Sequence, residues 1–318
     1  MDFANETVRA ESRALSAWIR FKETTSDEMS RFGFGGGHNT VQIRAMQSGG
    51  STVVASAFFD GFMEALDRYN PVRRVASIFD TESGEPSTVP TIDETDETGS
   101  LIVENADLTT AADVEVDGVT LGAHKYSSGI LRMSQELFTD ATPATMGQLG
   151  RTLGKRVGRL ANAHFTTGTG SSQPFGVVTQ STEGKVAAAD DAIAYADLVD
   201  LQHSLDSVYW GEARWMMNPN TFKVVRDLAS ASDVPAFQNG KLLGSSVLLN
   251  SAMPAVSAES RPVLYGDFSS YLVREMPLEV RRYRERFVEF GQIGLSAFVR
   301  TDGKLAVPSA VRHLAMAE

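Results

Sequence analysis

A chain of 318 residues, 42% of them hydrophobic, holds material for about two domain-sized units with sizeable cores. No apolar run approaches the roughly 20 residues needed to cross a bilayer, and the start, Met1-Asp2-Phe3-Ala4-Asn5-Glu6, lacks the basic segment and apolar block of a secretory signal. Zero cysteines exclude disulfides, thiolate metal sites and a cysteine nucleophile and fit synthesis in a reducing cytoplasm, while a formal charge of -11 argues against coating nucleic acid by bulk electrostatics and favours repulsion between copies until they assemble.

In chain order, residues 5–23 predict a helix, with Val8, Leu15, Trp18, Ile19 and Phe21 set among charges. Ser26 to Gly50 then turns polar and glycine-rich through Gly33-Phe34-Gly35-Gly36-Gly37, which reads as a linker or arm. A second helix is expected from Val54 to Tyr69, where Phe58, Phe62 and Leu66 recur every four residues, Phe59 and Met63 widen the stripe and Pro71 stops it.

The next segment, Gly84 to Ser127, predicts a long acidic hairpin. From Asp80 to Asp117 there are twelve carboxylates, and no Lys or Arg occurs between Arg74 and Lys125. Short β-patterned runs, Leu101-Ile102-Val103, Val114-Glu115-Val116 and Val119-Thr120-Leu121, flank the polar turn Asn105-Ala106-Asp107. A two-stranded ribbon is marginal alone in water, and arms of roughly 20 residues at about 3.3 Å each reach on the order of 60 Å. Something outside the subunit must therefore cover it. Leu101 and Val103 share one face at period two and are the apolar candidates for that contact.

Ile130 to Asp140 predicts a strand and a short helix opened by Ser134. The longest helix is expected from Pro143 to Phe165, with Met146, Leu149, Leu153, Val157 and Leu160 as its buried stripe and Arg151, Lys155 and Arg159 as a basic flank. From Asp190 to Glu275, helical segments (195–207 and 218–230) alternate with strands (213–217, 246–249, 263–265 and 271–274), a mixed α/β unit. Strands at 279–283, 287–290 and 297–300 follow, then a turn at Thr301-Asp302-Gly303-Lys304.

Catalytic patterns are weak. Gly168-Thr169-Gly170-Ser171-Ser172-Gln173-Pro174 lacks the Lys-Ser/Thr of a phosphate cradle and follows a helix, so it reads as a turn. The five histidines have no pair three or four apart. Asp93-Glu94-Thr95-Asp96-Glu97 lacks the glycine and terminal Glu of a calcium loop, and no Gly-x-Ser-x-Gly elbow occurs. Neither a catalytic residue nor a cofactor or metal site is expected.

The order of Ser134-Gln135-Glu136-Leu137, His164-Phe165-Thr166-Thr167-Gly168, Gln173-Pro174-Phe175-Gly176, Trp215-Met216-Met217-Asn218-Pro219-Asn220, Leu264-Tyr265-Gly266-Asp267-Phe268 and Arg300-Thr301-Asp302-Gly303 resembles the major capsid protein of tailed double-stranded DNA bacteriophages over about residues 50–312. The resemblance implies an α+β chain of the Hong Kong 97 type: an N-terminal helix (1–30), an N-arm (31–54), a P-domain with a spine helix (55–83, 127–175 and 278–305), an extended E-loop (84–126) and an A-domain (176–277 and 306–318). It implies a structural protein, not an enzyme, that assembles with itself as hexamers and pentamers into an icosahedral head around double-stranded DNA, in a host bacterial cytoplasm. Portal, scaffolding and decoration proteins are the further partners, and no membrane is involved. The hairpin would lie across a neighbouring subunit, with Asp93, Glu94, Asp96, Glu97 and Asp113 facing either Arg151, Lys155 and Arg159 or Arg281, Arg282, Arg284 and Arg286.

Two departures from the family matter. Its type member joins subunits by an isopeptide bond between a Lys near the E-loop tip and an Asn in the P-domain. Here the tip has no Lys and no Asn follows Asn250, so a non-covalent shell is expected. The N-terminal segment resembles only the last stretch of the scaffolding region that many relatives carry. An encapsulin-like compartment or a gene-transfer-agent head shares the fold and is the alternative. A soluble hydrolase is the enzyme rival.

Overall fold

A computed structural model describes residues 52–92, 116–231, 237–238 and 240–317. The expected N-terminal helix, most of the N-arm and the hairpin tip with Asp93, Glu94, Asp96, Glu97, Leu101, Val103 and Asp113 lie outside these residues. The helices are α1 (Thr52–Tyr69), α2 (Pro71–Val75), α3 (Gln135–Thr139), α4 (Pro143–Thr167), α5 (Val177–Gln180), α6 (Tyr195–His203) and α7 (Pro219–Ala231). The strands run β1 (Ser77–Asp80), β2 (Ser87–Ile92), β3 (Val116–Leu121), β4 (His124–Ser127), β5 (Leu131–Ser134), β6 (Thr182–Val186), β7 (Arg214–Met217), β8 (Phe237–Gln238), β9 (Lys241–Leu242), β10 (Ser245–Leu249), β11 (Val263–Gly266), β12 (Tyr271–Glu275), β13 (Glu279–Tyr283), β14 (Gln292–Leu305) and β15 (Val311–Ala315).

These strands form a six-stranded sheet, a seven-stranded sheet and the separate pair β2-β3. In the first, β14 is the organiser. Its 14 residues pair with β13 and β12 along one edge and with β5 and β4 along the other. In the second, the order is β6-β15-β11-β7-β10-β9-β8. One core joins α1, α4 and one face of the first sheet. The other surrounds Trp215 and Tyr265, whose rings lie 4.4 Å apart.

The start of α4 follows its local chemistry. Thr142 precedes Pro143 and its Oγ1 accepts from the Thr145 N–H at 3.3 Å. Its packing departs from the expected leucine stripe. Met146, Leu153 and Val157 are fully buried, but Leu149 is only partly so and Leu160 is 45% exposed. The buried arc instead runs round through Gly147, Gly150, Gly154 and Gly158, because α1 lies against these glycines backbone to backbone. A Cβ on Gly150 would stand 2.1 Å from the Phe58 carbonyl oxygen, one on Gly154 2.4 Å from that of Phe62, and one on Gly61 2.4 Å from that of Gly147. Leucine hydrophobicity pointed to one edge of the contact, and glycine, which has no hydrophobic signature, makes its centre.

Three further expectations change. Residues 287–290 are not a strand but part of a 3-10 turn, Glu285–Phe290, closed by Gly291 in the left-handed region and folded so that the Phe287 ring covers Gly294. Thr301-Asp302-Gly303-Lys304 is not a turn but the continuation of β14. Gly303 is there because Tyr271 crosses it, its hydroxyl 2.3 Å from where a Cβ would stand and donating to the Phe175 carbonyl at 2.6 Å. Strand 271–275, read with the α/β unit, pairs with β1 and β14 in the other sheet. Buried amides tie α4 to the end of β10: Asn162 on α4 donates to Asn250 Oδ1 at 2.8 Å, and Asn250 donates to Thr166 Oγ1 at 2.8 Å.

Candidate functional site

The described base of the acidic hairpin pairs Ser87 with Leu121 through Ile92 with Val116, and among the described residues no third strand joins it. Thr88 and Thr120 face each other with hydroxyls 3.1 Å apart, the close approach of a non-hydrogen-bonded antiparallel pair. The same alternation sets Pro90 opposite Gly118, a position where a missing N–H costs the ladder nothing. Val119 and Leu121 are buried at the root, while Thr88, Pro90, Gly118 and Thr120 are exposed.

What fixes this ribbon to the body is a buried arginine. Arg274 is 2% exposed. Its Nη1 donates to the Leu121 and Gly122 carbonyls at 3.0 and 3.1 Å, its Nη2 to the Ser83 carbonyl at 2.6 Å and its Nε to Thr81 Oγ1 at 2.8 Å. One guanidinium thus holds both legs, using the planar fork that a lysine lacks. Asp302, opposite Arg274 across β12 and β14, accepts from the Gly122 N–H and lies 3.6 Å from His124 Nε2. Beneath it, Tyr126 and His164 Nδ1 share a hydrogen bond of 3.0 Å, and burial together with Asp302 holds the Tyr126 hydroxyl protonated well above its usual range. Nothing in the sequence pattern singled out Arg274 except that it is a charge within an apolar strand.

The two expected basic groups lie on opposite sides of the body. Arg151, Lys155 and Arg159 sit on the flank of α4 turned towards the end of α1, where Arg151 bonds Glu64 at 2.9 Å and Lys155 and Arg159 lie 5.4 and 5.1 Å from the Tyr69 ring. Arg281 stands on the face of the first sheet that points away from α4 and bonds Glu279 at 2.6 Å, which together with the Arg281 charge holds that carboxyl below its usual range. Arg282 alternates to the other face, opposite Leu295, and is half-buried. Burial first and Arg284 second push its guanidinium down to about 9, so it stays a cation at neutral pH. Arg284 is exposed beyond the strand end, and Arg286 lies 5.6 Å from the Phe287 ring. Strand alternation therefore splits Arg281 and Arg282 between the two faces of the sheet, and Arg284 and Arg286 lie beyond the strand end.

Reaction chemistry finds little to work with. Among the described residues no cluster of three or more His, Asp and Glu is placed to hold a metal, and no helix is long and apolar enough to cross a membrane. Ser181 and His313 meet at 2.9 Å, but Ser181 donates to the Val178 carbonyl and both side chains are buried. Burial, with Arg261 beside it, pushes the His313 imidazole down to about 4. The pair is a neutral packing contact. The 168–174 segment is a turn, as expected, with Gly170 in the left-handed region beneath the Phe175 ring.

The model of the phage capsid family matches residues 50–316. The chain belongs to the phage capsid family. Its members' fold recurs in solved structures. The capsid of a native GTA particle is similar at a TM-score of 0.64 and 22% identity, over 92% of this chain and 99% of that one. Mycobacterium phage Adephagia gives 0.55 and 17%, over 78% and 90%. The holo encapsulin complex of Synechococcus elongatus gives 0.54 and 11%, over 77% and 86%. At these identities the likeness is one of fold. No curated protein matches the chain. Family and fold together make this capsid-family chain a structural shell protein that assembles with copies of itself.

Proposed function

We propose that the chain is the major capsid protein of a tailed double-stranded DNA phage, and that it closes as hexamers and pentamers into an icosahedral head. The observation that carries this reading is the acidic hairpin: among the described residues its strands 87–92 and 116–121 pair with each other and no third strand joins them, yet a buried arginine grips both legs at the root. A buried-arginine anchor at the root of a ribbon makes sense if the ribbon carries load between subunits. In this reading 84–126 is the E-loop, α4 the spine helix of the P-domain, the seven-stranded sheet the A-domain, and residues 31–54 an N-arm. Leu101 and Val103 bury against a neighbour, and Asp93, Glu94, Asp96, Glu97 and Asp113 face its cations. Packaged DNA is enclosed without sequence-specific contacts, portal and scaffolding proteins act during assembly in the host cytoplasm, and the protein carries out no reaction. Particles purified after expression with the phage packaging machinery test this. Closed heads holding double-stranded DNA support it, while shells holding a protein cargo and no genome would favour the encapsulin reading that the shared fold raises.

A further inference from the structure

Among the described residues, three of the four most exposed large apolar side chains lie at one end of the body. On the turn before β14, Val288 and Phe290 are 65% and 69% exposed, and Leu137 on α3 is 48% exposed. The Gln135 N–H donates to the Gly291 carbonyl at 3.0 Å, so Leu137 and Phe290 stand within two residues of the same hydrogen bond. The backbone beneath them is fixed. Gly291 closes the turn in the left-handed region, its N–H donates to the Val288 carbonyl at 3.0 Å, and the Phe287 ring packs over Gly294 with Arg132 and Arg286 at 5.7 and 5.6 Å from its centre. Val208 is more exposed still but stands by itself, since Trp210 beside it donates back to the Leu205 carbonyl at 3.0 Å and meets the His203 ring. Single exposed apolar residues are ordinary, whereas a cluster of them held on fixed backbone marks a contact.

This is also the end at which the chain before Thr52 joins the body. α1 and α4 run parallel, with Ala57 against Gly147, Phe58 against Gly150 and Phe62 against Gly154. At about 1.5 Å per residue, Thr52 lies roughly 7 Å before Ala57 and Pro143 roughly 6 Å before Gly147, so α1 starts level with the α3–α4 junction, close to Leu137. Residues 1–51 lie outside the described ones, but their sequence carries an apolar surface of its own. On a helix, Val8, Leu15 and Ile19 fall within about 40° of one another, with Trp18 at their edge. We infer that residues 5–23 cover the patch of Leu137, Val288 and Phe290 on the same chain in the unassembled subunit. The tether selects this occupant over a second copy. Residues 24–51 are polar and glycine-rich, and a linker of about 28 such residues has a root-mean-square span of roughly 30 Å. That span gives the segment a local concentration in about the millimolar range. A contact with a Kd of about 1 mM is then substantially occupied within one chain, whereas a second copy at roughly micromolar concentration leaves it empty. The segment thus shields this end of the subunit, and other copies reach it by displacing the segment.

The absence of native cysteine makes the test direct. Ser12→Cys and Leu15→Cys, both on the apolar side of the predicted helix, are each combined with Glu289→Cys, an exposed position between Val288 and Phe290, and the dilute, unassembled subunit is oxidised. At least one pair should give a link within one chain: a 34.4 kDa species in which mass spectrometry finds the two peptides joined, at least tenfold above a control that pairs the same N-terminal cysteine with Val208→Cys. Adding Val288→Asp and Phe290→Asp should lower the link to the control level, with the far-ultraviolet circular dichroism unchanged. Links found only between chains would overturn the inference in favour of a second copy on this patch. Equal linkage to positions 289 and 208, or none from either pair, would overturn it outright. Every arm is read on the unassembled subunit, so each of these failures leaves the capsid reading standing.

Discussion

Substituting alanine for Gly150 is expected to destabilise the subunit, against the ordinary preference of helices. In an exposed helix interior, Gly→Ala stabilises by about 1 kcal/mol. At Gly150 the new methyl would stand 2.1 Å from the Phe58 carbonyl oxygen and 3.1 Å from the Phe62 nitrogen. Both are backbone atoms, so no rotamer relieves the overlap. Restoring ordinary contact requires α1 and α4 to separate by more than an ångström. That loosens the packing of Phe58, Phe62, Leu66, Leu153 and Val157, all within the same core. Overpacking typically costs 1–3 kcal/mol. With immovable neighbours the upper end applies, so the net loss after the propensity gain is about 2 kcal/mol. At about 2.1 cal/mol/K of unfolding entropy per residue a chain of 318 residues shifts by about 1.5 °C per kcal/mol, so the unassembled subunit should melt about 3 °C below the parent in calorimetry. Gly158→Ala is the control. Its Cβ would lie 3.2 Å from the Leu66 carbonyl oxygen, an overlap of a few tenths of an ångström, and its effect should be near zero. An unchanged or raised melting temperature for Gly150→Ala would refute the glycine contact between these helices.

Three other outcomes follow from the same structure. Arg274→Ala leaves the Ser83, Leu121 and Gly122 carbonyls without their donor, a loss of about 3 kcal/mol or more; amide exchange should accelerate in 87–92 and 116–121, with Arg274→Lys recovering only part, and unaltered exchange there would contradict the clamp. His313 is depressed by burial to about 4, so between that value and its unfolded 6.5 the unfolded chain binds more protons. Stability should therefore rise with pH across this window and fall on acidification, by up to about 3 kcal/mol. His164, lowered by burial and by His124, acts in the same direction, so His313→Gln should flatten the denaturation profile in part, and an unflattened profile would show that His313 is not the group responsible. Mature particles boiled in detergent should run as one band near 34.4 kDa, whereas a ladder of multiples would show a covalent bond made by another residue pair.

Much of the architecture was legible because it is written in periodicity and punctuation. Thr142-Pro143 and Ser134 marked the starts of their helices to within a few residues. What escaped depends on contacts distant in sequence. Gly303 resembled a turn because only the Tyr271 hydroxyl above it explains the missing side chain. Leu160 counted as core because helical spacing cannot say how wide an arc the partner covers, and here α1 covers the glycine side. The basic group at 281–286 looked continuous in one dimension, yet strand alternation sends Arg282 to the opposite face from Arg281. Conversely, Lys125, Arg132 and Arg300 are scattered over the sequence and converge only when β4 and β5 flank β14.

The central claim, that this chain builds a closed shell, is tested most directly by cryo-electron microscopy of the purified protein after expression, with analytical ultracentrifugation of the same sample. Closed particles with five-fold and six-fold clusters of this subunit, an acidic ribbon from each laid across its neighbour, are the predicted result. A single sedimenting species of 34.4 kDa with no particles on the grid, under conditions where the subunit is folded, would contradict it.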